Sequence, residues 1–526
     1  MSDYRDNFSL KQILTLSAVP FFLLCLSMAL KYRYGPYFLG FNSDPEYAYL
    51  LNSLNIIHFT IPGHTDHPGT TLQLLGGVVL LFKWLVYLAG GGALSLDEFV
   101  LRNPEKCLYA INLALNVLVF FAFLFASFSL RRCTHGALPV LVFQLSLLVP
   151  VQVKRALVRV SPEPLLVFSL LMVTALLVRY CHCEAEQRRG TKLPLLVGIG
   201  MGFGMATKVT FLPVLLLLLL FSSRKEHLTA LGACVVSFLL FTLPITTKFM
   251  QMLAWFASIA THTGRYGSGD VGLQSPGVLL NNLISLMEQE PSFFVLLGLY
   301  LAYLMLRRFF GETTAGDGKK LLMIGSLTMA LQIMLTVKHP GVHYLLPAIT
   351  LTAFLNAELC TLVKRDAGAV SYSFVLGICV IAFMATWHTA RSTKSWAAAK
   401  EDYFRNQEVF TARVNAIKDA TVIEYYKASS VEYALAFGDS FAGRKYGAEL
   451  AKIYPGKIFY DMWTPQFHTY ESTMNTVDIV ELLSKKETVL LVGEPLGVED
   501  KARKNLRLTT LIETPHTAAY RLEGLR

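Results

Sequence analysis

The stretch "GIGMGFGMATKVTFLPVLLLL", residues 198–218, is apolar except for Lys208 and two threonines. It lies within a run from 193 to 222, which is longer than the roughly 20 residues that one helix needs to span the hydrocarbon of a bilayer. A lysine at the bilayer centre costs about 2.5–3.5 kcal/mol, so we expect Lys208 at the membrane boundary or beside an anion, of which phosphate is the obvious one. The run is therefore predicted to form two short helices with Lys208 at the turn between them.

The composition of the whole chain is typical of a polytopic α-helical membrane protein. Of its 526 residues, 53% are hydrophobic and 16% are charged, and the mean hydropathy is +0.46. The net charge of +10 comes from short clusters of Lys and Arg between apolar runs, a pattern that sets membrane topology and argues against nucleic-acid binding. The apolar runs lie near 13–30, 69–89, 108–130, 137–151, 163–179, 193–222, 229–246, 291–306, 321–337, 344–362 and 371–388.

The basic clusters predict which side of the membrane each loop faces, because Lys and Arg concentrate in cytoplasmic loops. All clusters face the cytoplasm if the N-terminus is cytoplasmic, 193–222 crosses twice, and 69–89 lies at the interface or re-enters instead of crossing. This arrangement gives about 11 transmembrane helices in the cell (inner) membrane and an external loop at 31–106. The chain after about residue 389 is then extracytoplasmic.

Residues 389–526 are predicted to form a small soluble α/β domain, which leaves 1–388 as the transmembrane domain. A helix-like stretch at 395–419 precedes strand-like runs separated by Gly, Pro and Asp. These runs are "TVIEYY" (421–426), "YALAF" (433–437), "KIFYDMW" (457–463), "TVLLVG" (488–493) and "TAAYRLEG" (517–524).

One motif in this tail, "YALAFGDSFAG" (433–443), resembles the nucleophile turn of GDSL hydrolases, with Ser440 as the nucleophile. Such enzymes need a later Asp-x-x-His, for which the chain offers only Glu513 and His516, and no oxyanion block is evident. A strand followed by a turn is therefore the preferred interpretation.

Several titratable residues lie where the predicted topology has external helix ends. Asp44 precedes a proline at the start of a predicted helix, so its simplest role is to cap that helix. Glu163 begins a span, where the helix dipole favours an acid, and Arg159 one turn earlier could pair with it. Lys338, His339 and His343 lie at another external helix end, and Arg265 lies in the long polar loop 247–290.

These residues suit transfer of a sugar from a lipid phosphate. A carboxylate can remove the proton of an acceptor hydroxyl, and cations can stabilise the growing charge of the departing phosphate. These residues alone are also compatible with a transporter or a channel.

The order of the motifs resembles the GT-C membrane glycosyltransferases, specifically the group of the protein O-mannosyltransferases and the aminoarabinose transferase of lipid A. The resemblance covers about residues 10–390, and the chain departs from it at Pro45, at Gly69, where the family often has Pro, and at His343, where Arg is common. The similar segments are "DPEYAYLLNSL" (44–54), "DHPGTTLQLLGG" (66–77), "RVSPEPLLVF" (159–168), "GIGMGFGMATKVTFLPVLLLL" (198–218) and "HYLLPAITL" (343–351).

The resemblance implies a sugar donor linked to polyprenyl phosphate and a catalytic carboxylate in the first external loop. By motif match, Asp44 takes the catalytic role, Glu163 is the second acid, and Lys208 binds the donor phosphate. Further candidates for phosphate contact are Arg159, Lys338 and Arg265, and candidates that shape the site are Glu46, Tyr47, His67, His339 and His343.

The predicted function is that of a membrane glycosyltransferase whose acceptor, a glycolipid, polysaccharide or protein, lies on the outer face of the membrane. This branch of the GT-C group resembles metal-independent enzymes, so no cofactor is expected, although His64, Asp66 and His67 could bind a divalent metal. The alternatives are a transporter or flippase of lipid-linked glycans and a noncatalytic membrane scaffold. Carriers usually place their charges or broken helices at mid-membrane, whereas these polar residues fall at predicted helix ends.

Overall fold

The computed structural model describes residues 8–40, 46–65, 68–134, 136–182, 190–264, 267–309, 317–365, 370–462, 464–471, 477–485, 488–497 and 505–525. The chain forms two compact units. The first comprises Met1–Ala29, Thr65–Leu72 and Leu113–Lys394, and the second comprises Leu30–His64, Gln73–Asn112 and Ser395–Arg526.

Most of the described chain is helical. In the N-terminal half the helices are α1 (Leu10–Tyr34), α2 (Glu46–Ile57), α3 (Thr70–Ala89), α4 (Leu96–Arg102), α5 (Pro104–Thr134), α6 (Ala137–Leu148), α7 (Val151–Leu157), α8 (Glu163–His182), α9 (Lys192–Thr207) and α10 (Arg224–Thr242). They are followed by α11 (Phe249–Thr261), α12 (Pro276–Gln289), α13 (Pro291–Phe309), α14 (Asp317–Lys338), α15 (Leu346–Arg365), α16 (Val370–Asn415), α17 (Val431–Ala442), α18 (Gly447–Ile453) and α19 (Ile479–Lys485). Within the described residues, 3₁₀ helices cover Val209–Leu220, Leu243–Lys248 and Val342–Leu345.

Within the described ranges, seven helical stretches are long and apolar enough to cross a membrane, and α6 with α7, bent by 67°, is an eighth candidate. The predicted count of about 11 crossings is not confirmed. One reason is that the run around Lys208 divides into helices that are each shorter than a full span. The seven stretches are Leu10–Tyr34, Thr70–Ala89, Pro104–Thr134, Glu163–His182, Arg224–Thr261, Lys320–Lys338 and Val342–Thr361.

The predicted break at Lys208 is confirmed. Lys208 has extended backbone angles, φ −162° and ψ 136°, and separates α9 from the 3₁₀ helix Val209–Leu220. A proline, Pro213, lies inside that second helix, and proline removes one of the backbone hydrogen bonds on which a regular α-helix depends. The chain therefore presents a lysine from a helix break and not from the side of a continuous span.

The glycines of α9 allow it to pack closely against α10. A Cβ atom on Gly198 would lie 2.2 Å from the Ala230 carbonyl oxygen, and one on Gly202 would lie 2.3 Å from the Cys234 carbonyl oxygen. No side chain fits in that space, so the Gly-rich pattern of this segment reflects the contact between two backbones.

This packing predicts that Gly202→Ala destabilises the first unit by about 1–3 kcal/mol, the usual cost of overpacking. Gly232→Ala is the matched control, because no atom lies within 4 Å of a Cβ at Gly232, and alanine favours a helix by about 0.5–1 kcal/mol. Thermal unfolding in detergent can be monitored by size-exclusion chromatography. The midpoint of unfolding should fall for Gly202→Ala and stay or rise for Gly232→Ala. Equal midpoints for the two variants would contradict the close contact between α9 and α10.

The C-terminal part of the second unit is built on a six-stranded mixed sheet with strand order β3-β2-β1-β4-β6-β5. Strands β2, β1 and β4 run parallel, and the remaining neighbours are antiparallel. The strands are β1 (Ala420–Tyr425), β2 (Ile458–Asp461), β3 (Gln466–His468), β4 (Thr488–Gly493), β5 (Leu506–Glu513) and β6 (Ala518–Leu525). The predicted α/β structure of the tail is confirmed, and so are four of its five predicted strands.

The predicted strand "YALAF" is wrong, since these residues belong to α17. Ser430 caps this helix by accepting a hydrogen bond from the Tyr433 amide, and residues 435, 438, 439 and 442 are buried at helical spacing. The interpretation of "GDS" as a strand followed by a turn is therefore also wrong. Ser440 lies inside the helix, where its hydroxyl donates to the Phe437 carbonyl, while the His516 ring stacks on Tyr403.

Helix α2, which follows the first predicted span, packs against α17 of the tail. The side chain of Asn52 donates to the Phe441 carbonyl at 3.2 Å, and that of Asn55 donates to the Ala442 carbonyl at 2.9 Å. The last carbonyls of a helix have no partner within the helix, so α2 supplies side chains that satisfy the end of α17. The predicted domain boundary at residue 389 falls inside the continuous helix α16 and stays a prediction.

Strand β1 buries an acid, Glu424, whose Oε2 atom has no hydrogen-bond partner in the described part of the chain. Burial raises the pKa of its carboxyl from 4.5 to about 7. The folded unit thus keeps a proton that the unfolded chain has lost. The contribution of this group to stability is full below pH 4.5, falls as the pH rises, and is lost above about pH 7.

We predict that the second unit loses up to about 3 kcal/mol of stability between pH 4.5 and 7, and that Glu424→Gln removes most of this dependence. Glu513→Gln, which changes an exposed acid at the end of β5, should leave the pH dependence of stability unchanged. Hydrogen exchange of peptides from β1 and β4, corrected for the intrinsic rate at each pH, measures the effect. The same pH dependence in all three proteins would show that Glu424 is not its source.

Candidate active site

A buried ion pair of the first unit joins Lys208 to Glu163. The Lys208 Nζ atom lies 2.5 Å from Glu163 Oε1, and the two side chains are only 10% and 9% exposed. The Ser161 hydroxyl also donates a hydrogen bond to this carboxylate. Two charges buried at this depth stabilise each other, because either one alone would carry the full cost of leaving water.

Local structure explains why each partner lies there. Glu163 is the first residue of α8, where the positive end of the helix dipole favours an acid. Lys208 projects from the helix break, and its ammonium lies 5.0 Å from the centre of the Tyr344 ring, a cation–π distance. His343, the neighbour of Tyr344, adds a favourable electrostatic interaction with Glu163. Three of the sequence segments that the GT-C resemblance singled out therefore meet at this pair.

Residues 68–71, from a fourth such segment, also reach the break. Pro68 forms an isolated antiparallel β-bridge with Lys208, and the Thr71 and Thr207 hydroxyls are hydrogen bonded at 2.8 Å. Gly69 has φ +71°, which proline cannot adopt because its ring holds φ near −65°. The glycine that replaces the family's second proline is thus required by the local backbone.

Four of the predicted site residues, Asp44, Asp66, His67 and Arg265, lie outside the described residues. Arg159 is described and half-buried.

Lys338 and His339 bind the end of α11. Lys338 Nζ donates to the Ala260 carbonyl, and His339 Nε2 donates to the Ile259 carbonyl at 3.2 Å. Cations are favoured at a helix C-terminus, where the dipole is negative and the carbonyls are free. These contacts give both residues a structural role at that helix end, and their predicted roles at phosphate and in shaping the site stay predictions.

Glu46 and Tyr47 belong to a buried cluster of the second unit. The Tyr47 hydroxyl donates to Glu105 Oε1 at 2.8 Å, and the same carboxylate accepts the Tyr37 amide at 2.8 Å. The Lys31 ammonium lies 3.4 Å from the centre of the Tyr37 ring. Burial raises the pKa of Tyr37 and that of Tyr47, so both phenols stay neutral.

Sequence reasoning missed Lys31 and Glu105. The available signal was their position, because they stand at the two ends of the predicted external loop 31–106, next to apolar runs. Charged residues at the two ends of one loop are candidates to meet, yet nothing local indicates that they share a cluster with Glu46.

His64 packs between two aromatic rings, with ring centres 5.3 Å from Tyr49 and 5.4 Å from Phe441. In the part of the chain that the structure describes, no group of three or more His, Cys, Asp or Glu side chains is placed to hold a metal ion. The other two members of the alternative metal site, Asp66 and His67, lie outside that part.

The structure is similar to two crystal structures of ArnT from Cupriavidus metallidurans. With ArnT bound to undecaprenyl phosphate, the TM-score is 0.55 at 13% sequence identity over 98% of each chain. The fold is that of the GT-C membrane glycosyltransferases. With apo ArnT, the TM-score is 0.50 at 12% identity, over 95% of this chain and 97% of the other. No protein-family model and no curated protein sequence matches the chain.

The GT-C resemblance inferred from motif order is thereby confirmed at the level of fold. Together with the seven candidate spans, the GT-C fold makes the chain an integral membrane protein. At 13% identity, this similarity concerns the fold and carries no information on single residues.

A double-mutant cycle tests the interaction between Lys208 and Glu163. Glu163→Gln and Lys208→Met each leave one buried charge without its partner, so each should destabilise the fold by about 3–5 kcal/mol. The double variant removes both charges and should cost at least about 1 kcal/mol less than the sum of the two single changes. Midpoints of thermal unfolding in detergent provide the comparison. Strict additivity would mean that the two side chains do not interact.

Proposed function

We propose that the chain transfers a sugar from a polyprenyl-phosphate-linked donor to an acceptor at the outer face of the membrane. The observation that carries the proposal is the buried Lys208–Glu163 pair at a helix break of a GT-C fold. The similar protein ArnT was crystallised with undecaprenyl phosphate, the lipid that such a donor would leave behind.

Lys208 is the proposed contact for the donor phosphate. An ammonium has three donors, so it can keep its bond to Glu163 and still bind a phosphate oxygen. When the bond between the sugar and the phosphate breaks, the phosphate oxygen gains negative charge, and a cation already fixed in place stabilises that charge without reorganisation. Glu163 assists by holding Lys208 in position.

Asp44 is the proposed general base. It would accept the proton of the acceptor hydroxyl while the hydroxyl oxygen attacks the anomeric carbon of the sugar. Such proton transfer contributes typically 10²- to 10⁴-fold to a rate. Arg159 and Arg265 are proposed as further contacts to phosphate, and the identity of the sugar and of the acceptor is left to experiment.

The test compares cell envelopes of a deletion strain rescued with the wild type or with Asp44→Asn. Mass spectrometry of glycolipids and glycoproteins should show one hexose- or pentose-sized addition with the wild type and at least about 100-fold less with Asp44→Asn. Asp419→Asn is the matched control, because Asp419 is exposed and its φ of +53° suits asparagine. The control should restore the full addition at equal protein abundance.

Full rescue by Asp44→Asn at normal abundance would contradict the proposal and would make Asp44 a helix cap. A second measurement separates the enzyme from a transporter. The purified full chain should convert a synthetic polyprenyl-phosphate sugar to free polyprenyl phosphate when an acceptor is present. A transporter would move the donor across vesicles without changing it, and a scaffold would do neither.

A further inference from the structure

A groove of about 740 Å³ lies between α8 and α9. Its walls are mainly apolar side chains, which include Met172, Leu176 and Leu196. The Ser169 hydroxyl, also in the wall, donates to the Gly200 carbonyl at 2.7 Å and is therefore satisfied. Among the described residues that line the groove, only Arg179 and Lys192 are charged.

The length of the groove follows from the register of the two helices. The Phe168 and Phe203 ring centres lie 5.8 Å apart, while Glu163 pairs with Lys208, so α8 and α9 run antiparallel. Arg179 stands eleven residues after Phe168, and Lys192 stands eleven residues before Phe203. At 1.5 Å per helical residue, each separation is about 16 Å.

This length equals the thickness of one leaflet, because the hydrocarbon of a bilayer is about 30 Å thick. At one end of the groove the Phe203 ring contacts the rings of Phe168 and Phe241 edge to face, and the two basic residues lie at the other end. The groove therefore has the dimensions of one acyl chain that begins at a basic group and ends near the bilayer centre.

The two basic side chains are available to an anion. Neither Arg179 nor Lys192 has an ion pair within the described part of the chain, and Lys192 is exposed. Lys192 also lies in the first turn of α9, where the positive end of the helix dipole disfavours a cation and favours an anion. A phosphate at this position would stabilise both the lysine and the helix end.

We propose that the groove binds an anionic phospholipid, with one acyl chain along the apolar wall and its phosphate between Arg179 and Lys192. The sequence predicts that this end of both helices faces the cytoplasm, the leaflet where anionic lipids attract basic residues. The site is distinct from the Lys208–Glu163 pair, which lies at the opposite ends of α8 and α9. A bound lipid would hold together the two helices that carry that pair.

The test titrates phosphatidylglycerol or phosphatidylcholine with identical acyl chains into the delipidated full chain in detergent and records the midpoint of thermal unfolding. Phosphatidylglycerol should raise the midpoint of the wild type more than phosphatidylcholine does. In R179Q/K192Q the half-maximal concentration should increase roughly 30-fold, because each basic residue near an anionic surface contributes about fivefold. The matched control R224Q/K225Q removes the same charge from the exposed first turn of α10, which does not line the groove, and should behave as the wild type.

A second variant, Leu196→Trp, fills the apolar wall and keeps both charges. It should abolish the phosphatidylglycerol effect, which tests the groove even if R179Q/K192Q does not fold. Several outcomes would overturn the proposal: unchanged selectivity in R179Q/K192Q or in Leu196→Trp, an equal loss in R224Q/K225Q, or an equal effect of phosphatidylcholine. Inorganic phosphate that reproduces the full shift would also overturn it, since the site would then bind an ion and not a lipid.

Discussion

The first unit depends on one buried ion pair, Lys208 with Glu163. Neither charge is tolerable alone at this depth, so the helix break that presents Lys208 and the start of α8 that presents Glu163 must meet. The β-bridge from Pro68 and the Tyr344 ring join the same point. Four segments that are distant in sequence thus meet at this pair, because a buried lysine needs a partner. The proposed phosphate chemistry uses the same ammonium.

The second unit unites the first predicted external loop with the tail. Asn52 and Asn55 of α2 bind the last carbonyls of α17, and the close approach of Gly438 to the backbone of Tyr47 leaves no room for a side chain. Helix α2 begins two residues after Asp44. In the proposed function, the tail would therefore position the segment that carries the base.

Helices α8 and α9 carry different chemistry at their two ends. One end holds the Lys208–Glu163 pair, and the other opens into the groove with Arg179 and Lys192. The close packing of α9 against α10 through Gly202 fixes the position of α9 between these ends. A lipid in the groove would stabilise the same helix pair that presents the proposed donor-phosphate contact.

Features that depend on local patterns could be predicted from the sequence. The apolar runs follow from hydropathy, and the break at Lys208 follows from one charge within an apolar run. Strands such as β1 and β4 follow from short strand-like runs bounded by Gly, Pro and Asp. The order of polar helix ends also identified the GT-C fold and placed Glu163 at a helix start. Only the tertiary structure decided the features that depend on distant partners. Lys208 pairs with Glu163, and Lys338 donates a hydrogen bond to a carbonyl at the end of α11. "YALAF" is a helix because its buried face packs on α2. Local propensity cannot specify these outcomes, since each is decided by a contact between residues far apart in the chain.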